Sequence, residues 1–269
     1  MTKSTLQVPV AAITAAAHQI VRMTLESPEW AAAAHAGHFV NVQIPQGSDL
    51  FWRRPFSLHR ADPVRGTIDL LIAAAGRGSR ILAGCNPGDV LDVIGLLGNT
   101  FPLDPQPREI IMVAGGIGIA PFDLLLQDAA HLPCRKSLFY GARSATALCH
   151  SPLWSEQDVQ VHLATEDGSA GDPGLVIGPL RRYLEGQQDL TGCILYGCGP
   201  TPMLAALRAL ALELNIRGYV TVENLMACGF GACMGCPVEL AEPRADGQRY
   251  LLACKDGPVF PIEEILLHD

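Results

Sequence analysis

Residues Glu109-Ile110-Ile111-Met112-Val113-Ala114-Gly115-Gly116-Ile117-Gly118-Ile119-Ala120-Pro121 decide the architecture. Ile110 to Ala114 are apolar without alternation, as expected of a strand buried on both faces of a parallel sheet. Three glycines follow within four positions, and Pro121 suits a first helical turn, where no N–H is needed. A strand, a glycine turn and a helix open an α/β unit. Such a turn lets a dinucleotide lie against the backbone, with the positive end of the helix behind its phosphates. Gly115, Gly116, Gly118 and Pro121 are therefore candidate binding residues. The spacing is not G-x-G-x-x-G, and a plain tight turn is the structural alternative.

Downstream, strands are expected at Lys136–Tyr140, Val159–Ala164, Cys193–Tyr196 and Tyr219–Val222. They alternate with helices over Pro121–His131, Leu175–Glu185 and Thr201–Leu214. This rhythm predicts a doubly wound parallel sheet over residues 105–222. Ligands of such sheets sit at the carboxyl ends of strands, which singles out Cys198, Gly199 and Pro200 in Tyr196-Gly197-Cys198-Gly199-Pro200. Glu166 and Asp167 follow another strand. Their charge would disfavour a 2′-phosphate and favour NAD over NADP, with Arg143 pulling the other way.

Upstream of the tract Leu103-Asp104-Pro105-Gln106-Pro107, which reads as a linker, the pattern changes. Short apolar runs at Leu6–Thr14, Ile20–Glu26, Phe39–Gln43, Phe56–Arg60, Thr67–Ala73 and Val90–Gly95 predict a small antiparallel β-barrel over residues 1–104. Arg54 of Arg53-Arg54-Pro55-Phe56-Ser57 is suited to pair with a pyrophosphate. Gly78 and Ser79 are suited to begin a helix facing the same anion, with Ser79 as its cap. A surface arginine and an ordinary capped helix are the plain readings of each motif alone.

The third part, residues 223–269, holds Cys228, Cys233, Cys236 and Cys254 in the spacing C-x4-C-x2-C-x17-C. This is the plant-type spacing for a [2Fe–2S] cluster, which needs four thiolates, three of them from one tight loop. Gly229, Gly231 and Gly235 supply positions tolerant of positive φ. Structural zinc, more often held by two separated C-x-x-C pairs, is the alternative. A hairpin is expected around Ala245-Asp246-Gly247. Of the five other cysteines, Cys85, Cys134, Cys149 and Cys193 read as small buried apolar residues.

The composition is compatible with this multi-domain β plus α/β plan. The chain has 269 residues and a net charge of −8. Charged residues make up 17%, below the usual share of about 25%, which excludes global disorder. The acidic balance argues against nucleic acid. The longest apolar runs are too short, and too broken by glycine, to cross a membrane. The apolar run Val8–Ala17 is preceded only by Lys3 and has no clean cleavage site. No secretory signal is therefore expected, and nine cysteines, an odd number, suit reduced thiols of the cytoplasm.

Taken in order, Arg54-Pro55-Phe56-Ser57, Gly78-Ser79, Gly115–Pro121 and Cys198-Gly199-Pro200-Thr201-Pro202-Met203 resemble the ferredoxin–NADP reductase superfamily. The segment Met226-Ala227-Cys228-Gly229-Phe230-Gly231-Ala232-Cys233-Met234-Gly235-Cys236 closely resembles the iron–sulfur electron-transfer subunits of type B dihydroorotate dehydrogenase. The resemblance covers nearly the whole chain. It implies a flavin-binding barrel, a nicotinamide domain and a small [2Fe–2S] domain, with FAD, NAD and the cluster as cofactors. Arg54, Pro55, Phe56 and Ser57 would hold FAD, with Leu71, Ile72, Ala73, Gly78 and Ser79 completing the site. The four tail cysteines would hold the cluster. No residue here would act on dihydroorotate. An FMN-containing catalytic subunit would do so, in a heterotetramer with two copies of each chain. Many reductases of the superfamily have Tyr where Phe56 stands, and they end in an aromatic that covers the flavin; this chain ends in the cluster segment. The rival readings are a flavin/iron–sulfur subunit of a hydrogenase, sulfite reductase or transhydrogenase complex, and, more distantly, a zinc-stabilised binding module.

Overall fold

The computed structural model describes residues 4–45 and 49–268. Its first part contains strands β1 (Ser4–Ala17), β2 (Ile20–Glu26), β3 (Phe39–Val42), β4 (Arg54–Asp62), β5 (Thr67–Ala73) and β6 (Val90–Leu97). They close into a barrel in the order β1-β2-β5-β4-β3-β6, with every pairing antiparallel. Closure leaves no strand edge open. Alternation fills the interior: Ile68, Leu70 and Ile72 of β5 are all 0% exposed. Two short helices pack on the barrel, α1 (Pro28–Ala33) and α2 (Arg77–Ala83). The sequence reading had no place for α1, which has only six residues and is held by burial of Trp30 and Ala31.

The second part holds β7 (Glu109–Gly115), β8 (Arg135–Ala142), β9 (Gln160–Thr165), β10 (Asp172–Pro173), β11 (Cys193–Cys198) and β12 (Gly218–Thr221), all parallel. Helices α3 (Phe122–Asp128), α4 (Leu153–Glu156), α5 (Ile177–Glu185) and α6 (Thr201–Glu213) connect them. The tail adds a hairpin of β13 (Pro237–Glu239) and β14 (Tyr250–Leu252), then β15 (Val259–Pro261). β15 returns antiparallel to β12, so the sheet order is β10-β9-β8-β7-β11-β12-β15. The cluster segment is thus tied to the nicotinamide-type sheet by its own edge strand. Chain order reverses between β7 and β11, which is the switch point where such sheets bind ligands.

Three local expectations differ from what is found. α3 does not open directly from the glycine turn: a 3-10 turn at Gly116–Ile119 comes first, and Pro121 stands before the helix rather than inside it. Ser79 is not the cap of α2. Gly76 holds that place, and the Ser79 hydroxyl accepts from Gly76 N at 3.0 Å from the third helical position. In the cysteine loop Gly229 and Gly231 have positive φ, but Gly235 does not; Met234, at φ 59°, takes the left-handed position instead.

Polar contacts join the parts. Asp123 of α3 is fully buried and accepts from Arg60 Nε of β4 at 2.7 Å. A buried charge is tolerable only when paired in this way. Asn99, after the barrel, donates to the carbonyls of Asp256 and Val259 and accepts from Val259 N.

Two adjoining clefts and a cysteine loop

Strand β4 leaves the barrel with Arg54, Pro55, Phe56 and Ser57 on one wall of a cleft of about 740 Å³. Leu71 and Ala73 of β5 also line it, as does Cys198 at the end of β11. The segment Val222–Ala227, running from β12 toward the cysteines, lines it as well. The Arg54 guanidinium is bent over its own chain, with Nη1 donating to Trp52 O at 2.8 Å and Arg53 O at 3.1 Å. A Cβ added to Gly78 would stand 3.3 Å from Arg54 Nε, so glycine there lets the guanidinium close on the start of α2. The neighbouring Arg53 is already committed to Asp92, through its carboxylate and its carbonyl. Arg54 is thus the guanidinium of this wall still suited to an anion. An apolar cleft with one such group fits a flavin dinucleotide.

A second cleft, of about 680 Å³, opens over the carboxyl ends of β7, β8 and β11. Gly115, Gly116, Gly118, Gly199 and Pro200 line it, together with Arg143 and Glu166. Gly116 has φ 55° and nothing within 4 Å of an added Cβ, so it leaves open space for a ligand to approach the backbone. Gly118 has a different reason to be glycine: an added Cβ would sit 2.2 Å from Cys198 O. The two loops of the switch point pack directly on one another. A nicotinamide dinucleotide fits this cleft in size and in its glycine-lined floor. The two clefts share Ala73, Ile117 and Glu223.

The cysteine loop adjoins the first cleft, which Ala227 and Gly235 border. Its cysteines stand as two pairs. Cys233 N lies 3.5 Å from Cys228 Sγ, and Cys236 Sγ lies 3.2 Å from Cys254 Sγ. Among the described residues no group of three or more His, Cys, Asp or Glu is drawn in as tightly as a single metal ion requires. Two thiolate pairs are nevertheless the donor set that a two-iron cluster takes. Burial raises the Cys228 thiol, but the N–H groups of Phe230, Cys233 and Ala232 outweigh it and bring the pKa down to about 6. Burial pushes Cys254 up, and its close partner Cys236 adds to that. Asn41 of β3, fully buried, donates from Nδ2 to Cys228 O at 3.3 Å and so ties the loop to the barrel.

Not every candidate reaches a cleft. Ile72 is buried inside the barrel, and Pro121 borders neither cleft. Asp167 is turned to its own loop, where Oδ1 accepts from Ser169 N at 3.0 Å. Gly78 and Ser79 stand on α2 behind Arg54 rather than on the cleft surface. Cys198 lines the first cleft, not the second, and burial pushes its pKa up to about 12, so it remains a thiol. Glu223, Trp52 and Asn41 were missed by the sequence reading. Glu223 had a usable signal, because it follows the last parallel strand at the ligand end of the sheet. Asn41 had none, since its role depends on a contact 187 residues away.

The arrangement defines an FAD- and NAD-binding oxidoreductase with an attached iron–sulfur domain. Three family models match it in order: an oxidoreductase FAD-binding domain over residues 7–101, an oxidoreductase NAD-binding domain over 112–209, and the iron–sulfur cluster binding domain of dihydroorotate dehydrogenase B over 223–266. The electron transfer subunit of dihydroorotate dehydrogenase B (NAD(+)) from Desulforamulus reducens is 32% identical over 244 residues, covering 91% of each chain. The corresponding subunit from Shouchella clausii is 37% identical over 234 residues, covering 86% of each. A chain of the NADH-dependent reduced ferredoxin–NADP oxidoreductase has the same fold, with a TM-score of 0.84 at 23% identity over 98% of this chain and 91% of that one. The chain belongs to the family of dihydroorotate dehydrogenase B electron transfer subunits.

Proposed function

We propose that this chain links an FMN-containing dihydroorotate-oxidising subunit to NAD⁺ in pyrimidine biosynthesis, in a cytoplasmic assembly with two copies of each chain. The observation that carries this reading is the meeting of the two clefts at Ala73, Ile117 and Glu223, with the cysteine loop against the first cleft. When bound, FAD supplies the exchange between the single-electron chemistry of a cluster and the hydride chemistry of a nicotinamide.

The chain's own residues supply place and charge. Cys228, Cys233, Cys236 and Cys254 would hold the cluster, which would supply one-electron transfer. Arg54 takes the flavin pyrophosphate, while Pro55, Phe56, Ser57, Leu71 and Ala73 hold the ring system. The segment Val222–Ala227 lines the same cleft and would cover part of the flavin against water. Asn224 anchors it, donating to Pro237 O at 2.7 Å. The second cleft takes NAD, with Gly115, Gly116, Gly199 and Pro200 against the dinucleotide and the Glu166 carboxylate disfavouring a 2′-phosphate.

Glu223 answers a question of balance. Two electrons enter without protons and leave as one hydride, so one proton must be taken up for each NADH formed. Glu223 borders both clefts; the residue keeps contact with solvent, and partial desolvation of its carboxyl raises its pKa. It is the titratable group placed to hold that proton on its carboxylate oxygen. The reading is tested by reconstitution. Alone, the loaded chain should pass electrons from NADH to a dye and leave dihydroorotate untouched. With its partner it should couple dihydroorotate oxidation to NAD⁺ reduction. Oxidation of dihydroorotate by this chain alone would overturn it.

A further inference from the structure

We propose that Trp52 stacks on the adenine ring of FAD and makes the first cleft select FAD over FMN. The inference rests on FAD occupying that cleft, and it concerns the half of the molecule that takes no part in the chemistry.

Position comes first. The redox end of the cleft is fixed where it meets the second cleft, at Ala73, Ile117 and Glu223, because reacting atoms must approach to about 3–3.5 Å. Trp52 borders the first cleft only. From Ser57 back to Trp52 the chain follows one wall, and Arg54 lies between them. With Arg53 spent on Asp92, the pyrophosphate of the ligand belongs at Arg54. The adenosine half continues beyond it, away from the second cleft. The Arg54 guanidinium donates to the Trp52 backbone carbonyl at 2.8 Å, so residue 52 lies directly beside the anion-binding group, and its side chain lines the same cleft.

Exposure and orientation come next. Trp52 is 55% exposed, which is costly for so large an apolar ring unless something covers it. Phe51 stands edge-on to it, with centroids 5.0 Å apart and planes at 83°. Phe51 itself is 79% exposed and is not part of the cleft wall. It buttresses the indole from outside and leaves the cleft side to a flat ligand. An adenine ring is such a ligand, and base–aromatic stacking tolerates sugar and phosphate geometry because every base has a π-face. FMN carries no adenine and gains nothing from this ring.

The test uses the full chain, stripped of flavin and titrated with FAD and with FMN. Trp52→Ala should weaken FAD by about 10- to 100-fold and leave FMN affinity unchanged, so the preference for FAD collapses. Trp52→Phe should restore most of it, as a smaller ring still stacks. Equal weakening of both flavins, or no weakening of either, overturns the assignment; the second is also what a purely partner-docking role for this aromatic pair predicts. If the wild-type chain takes up neither flavin, the reading of the cleft falls together with this inference. If it takes up FAD and Trp52→Ala does so equally well, only the inference falls.

Discussion

Arg54 enters its strand with the carbonyls of the two preceding residues, Trp52 and Arg53, already accepting from its guanidinium, which fixes the direction of its charge before any ligand arrives. Such preorganisation lowers the ordering cost of binding. A charge-assisted contact of this kind is worth roughly 1.5–3 kcal/mol. Arg54→Ala should therefore weaken FAD retention by about one to two orders of magnitude, read as flavin stoichiometry after dilution and gel filtration. Unlike the Trp52 change, it should weaken FMN as well, since FMN also carries a phosphate. Glu223 gives a second prediction at this scale. Its pKa is raised in the folded chain, so between the unfolded and folded values the native state binds more protons than the unfolded one. The protonated carboxyl is the form the fold prefers, and stability is lost as pH rises through that window. Glu223→Gln should accordingly raise Tm, by a margin that widens as pH rises above the ordinary carboxylate range and then levels off. With a one-electron donor feeding the cluster, the variant's rate of NAD⁺ reduction should fall roughly 10²-fold. Hydride transfer between NADH and flavin in a single turnover should barely change, because it needs no added proton. Equal losses in both assays would remove Glu223 from proton handling.

At the scale of elements, the cysteine loop shows which glycines are required by conformation and which are not. Gly229 has φ 79°, and an added Cβ would lie 2.4 Å from Asn41 Nδ2. Gly235 has no positive φ, and its nearest neighbour to an added Cβ is Cys233 Sγ at 3.4 Å, an ordinary contact. Gly229→Ala should displace the loop and diminish the EPR signal of the reduced cluster, while FAD stays bound and the barrel folded. Gly235→Ala should be nearly silent by the same measure. Cys233→Ser should abolish or severely perturb that signal, and replacement of Cys149 should leave it intact; an unchanged spectrum for Cys233→Ser would falsify the ligand assignment. The same loop shows what sequence can and cannot carry. The spacing of four cysteines is local chemistry and was legible at once. The six barrel strands and the parallel sheet were legible too, because burial imposes period 2 in one and continuous apolar runs in the other. The capping place of Gly76, the 3-10 turn before α3 and the left-handed Met234 were not: the first and last are choices of local backbone geometry that residue type leaves open, and the turn packs on a distant segment, Gly118 against Cys198 O. Gly118 shows the limit best: its glycine was read as room for a cofactor, but the atom it avoids is Cys198 O, 80 positions on in the chain.

For the whole molecule, charge and electrons must cross a boundary that this chain does not close by itself. The cluster loop presents Met234, 67% exposed, and the neighbouring segment presents Leu225, 88% exposed. Both lie beside the first cleft, where cofactor-to-cofactor distance is decided. Apolar side chains at such a place are covered by a partner more cheaply than by water. The placement suits a relay in which the cysteine loop faces the dihydroorotate-oxidising subunit and the second cleft remains open to NAD⁺ on the other side. β15 bears on this arrangement, since it joins the cluster segment to the nicotinamide-type sheet and holds both parts of the relay in one frame. Met234→Glu places a charge on the exposed apolar position of the cluster loop without touching a cysteine or a residue that lines either cleft. The variant should keep NADH–dye activity and the reduced-cluster EPR signal, because neither depends on a second chain. Coupled dihydroorotate oxidation and NAD⁺ reduction should fall in proportion to lost complex, measured at micromolar concentration by native mass spectrometry. The wild-type mixture should give a mass of two copies of each chain, as closed twofold symmetry favours. Loss of coupling while the complex stays intact would move the defect from docking to electron transfer. Retention of both would place the partner on another face.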